Sequence, residues 1–224
     1  MVGTYTVASG DSTSGLAVSS FSIGTVTDNA GNAMTSTTVP SGSKMFNSKT
    51  IIIDTTAPTV DEFTTTKASG SYKEGEAIQI TAKTDETIQS GNNITVTLNN
   101  TNNTTVVLTA SGDGTTMVGT YTVASGDSTS GLAVSSFSIG TVTDNAGNAM
   151  TSTTVPSGSK MFGSKTIIID TTAPSVVTFE MSDTVLLHGE TTTVTLIFSE
   201  AVSGFNSDNA VSYTHLTLPT KVTV

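Results

Sequence analysis

The sequence predicts an all-β protein assembled from β-sandwich modules, and three observations carry that prediction. Thr, Val and Ile, which suit pleated and half-buried strands, dominate beside the 20 glycines and the many Asn, Asp and Ser residues that suit turns. Apolar and polar residues alternate over short runs bounded by turn clusters, and no stretch has the period of an amphipathic helix. Finally, the segment Met1 to Pro58 recurs as Met117 to Pro174 with one difference, Asn47 against Gly163. The chain is therefore organised by repeats, and structure has to be assigned repeat by repeat.

One whole repeat runs from Thr59 to Pro174. Its first strand is expected near Val60 to Thr66, and the polar turn Ala68-Ser-Gly-Ser-Tyr-Lys-Glu-Gly75 leads into a second. There Ile78, Ile80 and Ala82 point one way while Gln79, Thr81 and Lys83 point to solvent. Ile94 to Leu98 and Val106 to Leu108 form a hairpin across the polar tip Asn99-Asn-Thr-Asn-Asn103. Met117 to Val123 follows the turn Ser111-Gly-Asp-Gly114, and Leu132 to Val142 and Lys165 to Ile169 complete the set. About seven short strands without a helix predict two stacked antiparallel sheets. The expected core is Ile78, Ile80, Val96, Leu98, Tyr121, Val123, Phe137, Ile139, Val142 and Ile168.

The repeat also sets the expected domain organisation. Residues 1–58 hold the later strands of one module, residues 59–174 a complete one, and residues 175–210 the opening strands of a further module of different sequence. Met1 corresponds to Met117, inside a strand-like run, so it reads as an internal methionine of a fragment. The run Val211 to Thr220 breaks the pattern and resembles a translated sequencing adapter, so residues 211–224 read as a non-native tail and His215 and Pro219 carry no functional argument. Each half-module is expected to expose unpaired edges and an apolar face, and the head of one chain to complete the tail of another.

Composition excludes several classes of function. The 224 residues contain no cysteine, which removes disulfide frameworks and thiolate chemistry. The net charge is −10 and all eight basic residues are lysine, so nucleic acid is a poor partner. No run of about 18 apolar residues occurs, so no membrane span is expected in this fragment. There is no nucleophile elbow, phosphate loop, paired-histidine helix or dinucleotide fingerprint, and the expectation is that the chain is not an enzyme. The sequons at Asn93, Asn99, Asn102 and Asn103 are expected from composition alone.

Several motifs recur from module to module: Gly75-Glu76 before the second strand, Asp85-Glu86 at its end, Val142-Thr-Asp-Asn-Ala-Gly-Asn148, and the closing linker Ile169-Asp-Thr-Thr-Ala-Pro174. The first module repeats the last two, as Thr27-Asp-Asn-Ala-Gly-Asn32 and Asp54-Thr-Thr-Ala-Pro58; the third repeats the others as Gly189-Glu190 and Ser199-Glu200. On these residues the chain resembles the bacterial immunoglobulin-like repeats of large secreted adhesins and other cell-surface proteins. The resemblance implies tandem Ig-like sandwiches, one complete and two truncated, in an extracellular, secreted or surface setting. The function expected is a structural stalk repeat, with neighbouring modules of the same chain as partners. A second reading is an accessory module of a secreted polysaccharide-active enzyme with a carbohydrate-binding face, which the 5% aromatic content and the absence of tryptophan disfavour.

Calcium is the one cofactor for which the residues offer a constellation, because it takes six to eight oxygen ligands from carboxylates, amides and carbonyls. In an Ig-type sandwich the incoming linker and the loops after the second and sixth strands share one end. Asp54, Asp85, Glu86, Asp144, Asn145 and Asn148 are therefore expected to converge there, with the ion stiffening each junction. The alternative is that Asp-Asn-Ala-Gly-Asn is a tight turn whose Asp and Asn bond their own backbone. Glu74 and Glu76, at the opposite end, read as solvated turn residues. His188 lacks a second ligand for zinc.

Overall fold

The computed structural model describes residues 2–205, which divide into two compact units between Thr171 and Thr172. The alternation expected of residues 59–174 becomes nine strands: β1 (Val60–Thr64), β2 (Gly70–Tyr72), β3 (Ala77–Ile88), β4 (Asn93–Leu98), β5 (Thr105–Thr109), β6 (Gly114–Thr122), β7 (Ser128–Thr129), β8 (Val134–Thr141) and β9 (Ile167–Asp170). The second unit contains β10 (Val176–Met181) and β11 (Val194–Phe198). Helical structure among the described residues is confined to three-residue 3-10 turns, such as Gly158–Lys160 and Phe162–Ser164. The protein is all-β, as expected.

Six strands follow one hydrogen-bonded order, β1-β3-β6-β5-β4-β8, with every pairing antiparallel. A flat sheet would hold β1 and β8 about 24 Å apart, five spacings of about 4.8 Å. Instead Phe63 of β1 and Phe137 of β8 meet edge to face with ring centroids 6.0 Å apart. The order must therefore fold over on itself, and the fold lies at β5, which meets β6 at the single register pair Thr109↔Val118. The result is a sandwich with β1, β3 and β6 in one layer and β4, β5 and β8 in the other. A smaller sheet, β2-β9-β7, sets β2 parallel and β7 antiparallel to β9.

Inward positions of both layers form one core. Ile78, Ile80, Ala82 and Ile88 of β3 pack with Ile94, Val96 and Leu98 of β4, Met117 and Tyr121 of β6, and Phe137 of β8. The segment between β8 and β9 has little regular structure but is held against β1. Phe63 bridges Met161, Lys160 pairs with Asp61, Lys165 Nζ donates to the Thr65 carbonyl at 2.8 Å, and Phe162 is buried. One expected core residue is corrected: Ile168 is only half-buried, whereas Ile167 and Ile169 lie inside. Three consecutive isoleucines have no alternation to read, and parity is set by the pairing of Gly70 with Ile167 and Tyr72 with Ile169. Ile139 is likewise only partly buried, packed against the core edge.

The fold-over explains one glycine. A Cβ on Gly119 would collide with the Val107 carbonyl oxygen and sit 2.6 Å from Leu108 Cδ2, because β5 crosses β6 there. Its repeat equivalent, Gly3, has open space around it. Gly119→Ala is therefore expected to cost about 1–3 kcal/mol, the usual range for overpacking. Gly3→Ala leaves stability within about 0.5 kcal/mol. Chemical denaturation of the two variants of the full chain checks the difference.

The second unit begins as the complete module does. β10 and β11 pair antiparallel with a register shift between Val176 and Thr178, matching the shift between Val60 and Glu62 where β1 pairs β3. Ser175 N donates to Ser199 Oγ at 3.0 Å, as Thr59 N donates to Asp85 Oδ1 at 2.7 Å. Residues 206–210 of the expected third module, and the whole of 211–224, lie outside the described residues.

Candidate metal centre at the module junction

The inward parity of β3 continues past its apolar residues: Ile78, Ile80, Ala82 and Thr84 face in, and so does Glu86, followed by Ile88. A carboxylate is thus carried at a core-facing position where the sandwich opens at one end. Two other carboxylates come to it from separate elements. Asp54 belongs to the linker from the preceding half-module, and Asp144 opens the turn after β8. One carboxylate oxygen from each of Asp54, Glu86 and Asp144 lies within 4.8 Å of the others. With Thr87 and the exposed Asn145 they line a cavity of about 320 Å³.

Asp144 is fixed in place by its own turn. Its Oδ1 accepts the Asn148 N–H at 2.8 Å, its Oδ2 accepts Asn148 Nδ2 at 2.7 Å, and Gly147 turns the chain at φ +94°. Burial alone would raise the Asp144 pKa, but the Asn148 side chain and the backbone N–H groups of Asn148, Gly147 and Ala146 outweigh it, so the carboxyl lies below its ordinary value. Asn148 Nδ2 also donates to the Asp54 carbonyl at 3.1 Å, tying the linker to the turn. The junction is closed further by Gln89 Nε2, which donates to the Asp144 carbonyl at 3.0 Å.

Glu86 is the unbalanced member. Its Oε2 is buried and has no hydrogen-bond partner. Burial first, then the charges of Asp54, Asp85 and Asp144, hold its pKa above the ordinary carboxylate value. A buried acceptor facing two further carboxylates lacks a counter-charge, and an all-oxygen donor set of this kind fits a hard divalent cation.

The expected ligands thus separate. Asp54, Glu86 and Asp144 are brought together, Asn145 borders the cavity, and Asn148 acts as the brace that orients Asp144. Asp85 points elsewhere: its two oxygens accept the Thr59 N–H and hydroxyl at 2.7 and 2.8 Å, fixing where the chain enters β1. The turn reading of Asp-Asn-Ala-Gly-Asn also holds, because Asp28 and Asn32 make the same bonds in the first half-module, at 2.8 Å each. In the second unit Glu200, the counterpart of Glu86, likewise has a buried oxygen, Oε1, with no partner.

The opposite end of the sandwich is self-sufficient. Tyr121 donates to Asp127 Oδ2 at 2.7 Å, Asn102 Nδ2 donates to Asp127 Oδ1 at 2.8 Å, and the Ala124 N–H donates to Oδ2 at 3.0 Å. Burial would raise the Asp127 pKa, but these donors overcome it and the carboxyl lies below its ordinary value. Burial, reinforced by Asp127, pushes the Tyr121 hydroxyl well above its ordinary range. Glu76 has a structural part nearby: its Oε2 accepts the Lys73 N–H at 2.9 Å across the turn made by Gly75 at φ +83°. Glu190 does the same for the Leu187 N–H at 2.8 Å. The Gly-Glu signature is thus a turn closure. Glu74 and His188 are exposed.

Residues 170–222 match the family model of the bacterial Ig-like domain, in keeping with the resemblance read from the third module. No curated protein and no solved structure matches the chain. No helix among the described residues is long and apolar enough to cross a membrane.

Proposed function

We propose that the chain is a stretch of tandem sandwich modules in a bacterial extracellular stalk, and that calcium stiffens the joint between successive modules. The Ig-like match over residues 170–222 suggests a surface or extracellular protein domain. The observation that carries the finer reading is the meeting of Asp54, from the linker, with Glu86 and Asp144, from the module that follows. An ion there would bind Asp54, Glu86 and Asp144, with Asn145 beside it, and neutralise three carboxylates that otherwise repel. Because one ligand lies on the linker and two on the module, binding the ion restrains the linker against the module. Asn148 supports the arrangement by holding both Asp54 and Asp144.

Amide hydrogen exchange of the full chain tests this. Calcium is expected to slow exchange across residues 54–57 and 144–148, while the amides of residues 124–129, at the other end of the sandwich, stay unchanged. Equal exchange with calcium and with a chelator in the 54–57 linker would contradict the stiffening role.

A further inference from the structure

The chain enters the complete module through the linker ahead of β1 and leaves it after β9. The two segments that carry this entry and exit, residues 60–72 and 160–170, lie side by side and run in the same direction. Phe63 bridges Met161 in the parallel sense, and β2 pairs parallel with β9 as Gly70↔Ile167, Ser71↔Ile168 and Tyr72↔Ile169. Further ties lie around and between these points. Lys160 pairs with Asp61, and Lys165 Nζ donates to the Thr65 carbonyl at 2.8 Å. The Thr166 N–H donates to Ser69 Oγ at 3.2 Å, while its carbonyl accepts the Gly70 N–H at 3.0 Å. The partners of Asp61, Thr65 and Ser69 lie 99, 100 and 97 residues further on, so the two segments keep step from β1 to β2.

This direction decides how the module meets tension. A pull along the chain draws the start of the first segment one way and the end of the second the other. In a parallel pair the segments are then dragged lengthwise past each other, and their evenly spaced bonds resist together. An antiparallel pair would put both points of pull at one pole, and the same tension would part its bonds one after another. The inner side of the seam is sealed by Phe63, Phe162, Ile167 and Ile169, all buried, so water has no access from within to replace a strained bond. The segment between β8 and β9, which has little regular structure, thereby gains a role as the supplier of Lys160, Met161 and Lys165.

We infer that the seam between residues 60–72 and 160–170 is the load-bearing element of the module, resisting a lengthwise pull without an ion. The inference rests on the stalk reading only for the direction of the natural load. Fixed points of attachment test the seam itself, so its failure would leave the stalk reading standing, and measurement in chelator separates it from the calcium reading.

The chain has no cysteine, so two introduced cysteines define where the full chain is held in single-molecule stretching. Thr56→Cys with Ala173→Cys, both at exposed linker positions, loads the seam lengthwise. Glu74→Cys with Ala173→Cys, starting from the exposed turn after β2, opens the same seam from one end. The first pair is expected to need severalfold more force than the second at the same loading rate, and to release about 400 Å of chain at about 3.4 Å per residue. In the lengthwise geometry, Lys165→Met is expected to lower the force while changing equilibrium stability little. Gly119→Ala, where β5 crosses β6, is expected to do the reverse, because forced unfolding follows the barrier and not the equilibrium. Equal forces in the two geometries, or a lengthwise force that follows equilibrium stability across the two variants, would overturn the inference.

Discussion

Asp127→Ala is expected to cost the complete module about 1–3 kcal/mol, since it removes the acceptor of three donors at once, of which the Tyr121 hydroxyl is left buried and unpaired. Those donors are the Tyr121 hydroxyl, Asn102 Nδ2 and the Ala124 N–H. Asp11→Ala, the same substitution in the half-module, removes an exposed contact to Tyr5 and leaves stability essentially unchanged. The pH dependence has a definite sign. The Asp127 pKa is depressed on folding, so its contribution is present above the unfolded value and lost as pH falls through the folded one. Denaturant unfolding of both variants, repeated from neutral to acid pH, measures the difference.

Glu86→Gln is expected to act in the opposite direction. Because the Glu86 pKa is raised on folding, its stabilising protonation is complete below the unfolded value and lost as pH rises through the folded one. Above that folded value and without a cation, the ionised Glu86 faces Asp54 and Asp144. Removing it is expected to raise stability on the order of 1 kcal/mol after solvent screening, and to weaken calcium binding at least tenfold. Thermal unfolding in chelator and in calcium should thus reverse the order of wild type and variant. A variant less stable than wild type in chelator would show that Glu86 is satisfied by the protein alone.

Much of the sandwich was legible because its strands alternate. Ile78, Ile80 and Ala82 on β3 and Val96 and Leu98 on β4 set the period and the inward face without help from neighbours. The short strands β2 and β7 lie in polar, turn-like sequence and exist only because β9 lies between them, so no local pattern reveals them. The same dependence on a partner hid the parity of Ile167, Ile168 and Ile169. At the junction, residue type and loop position brought Asp54, Glu86 and Asp144 together in expectation. Asp85 is expected beside them because adjacent carboxylates look alike in sequence, yet strand geometry turns neighbours to opposite faces. That same alternation separates the two: Glu86 has the parity of Ile78 and Ile88, whereas Asp85 has that of solvent-facing Lys83.

Whether the three junction carboxylates hold a divalent cation is decided by calorimetric titration of the full chain with calcium. A single saturable event is predicted, with protons released near the raised Glu86 pKa, magnesium binding more weakly, and the event lost in Asp144→Ala. No heat at millimolar calcium, or an isotherm unchanged by Asp144→Ala, would contradict it.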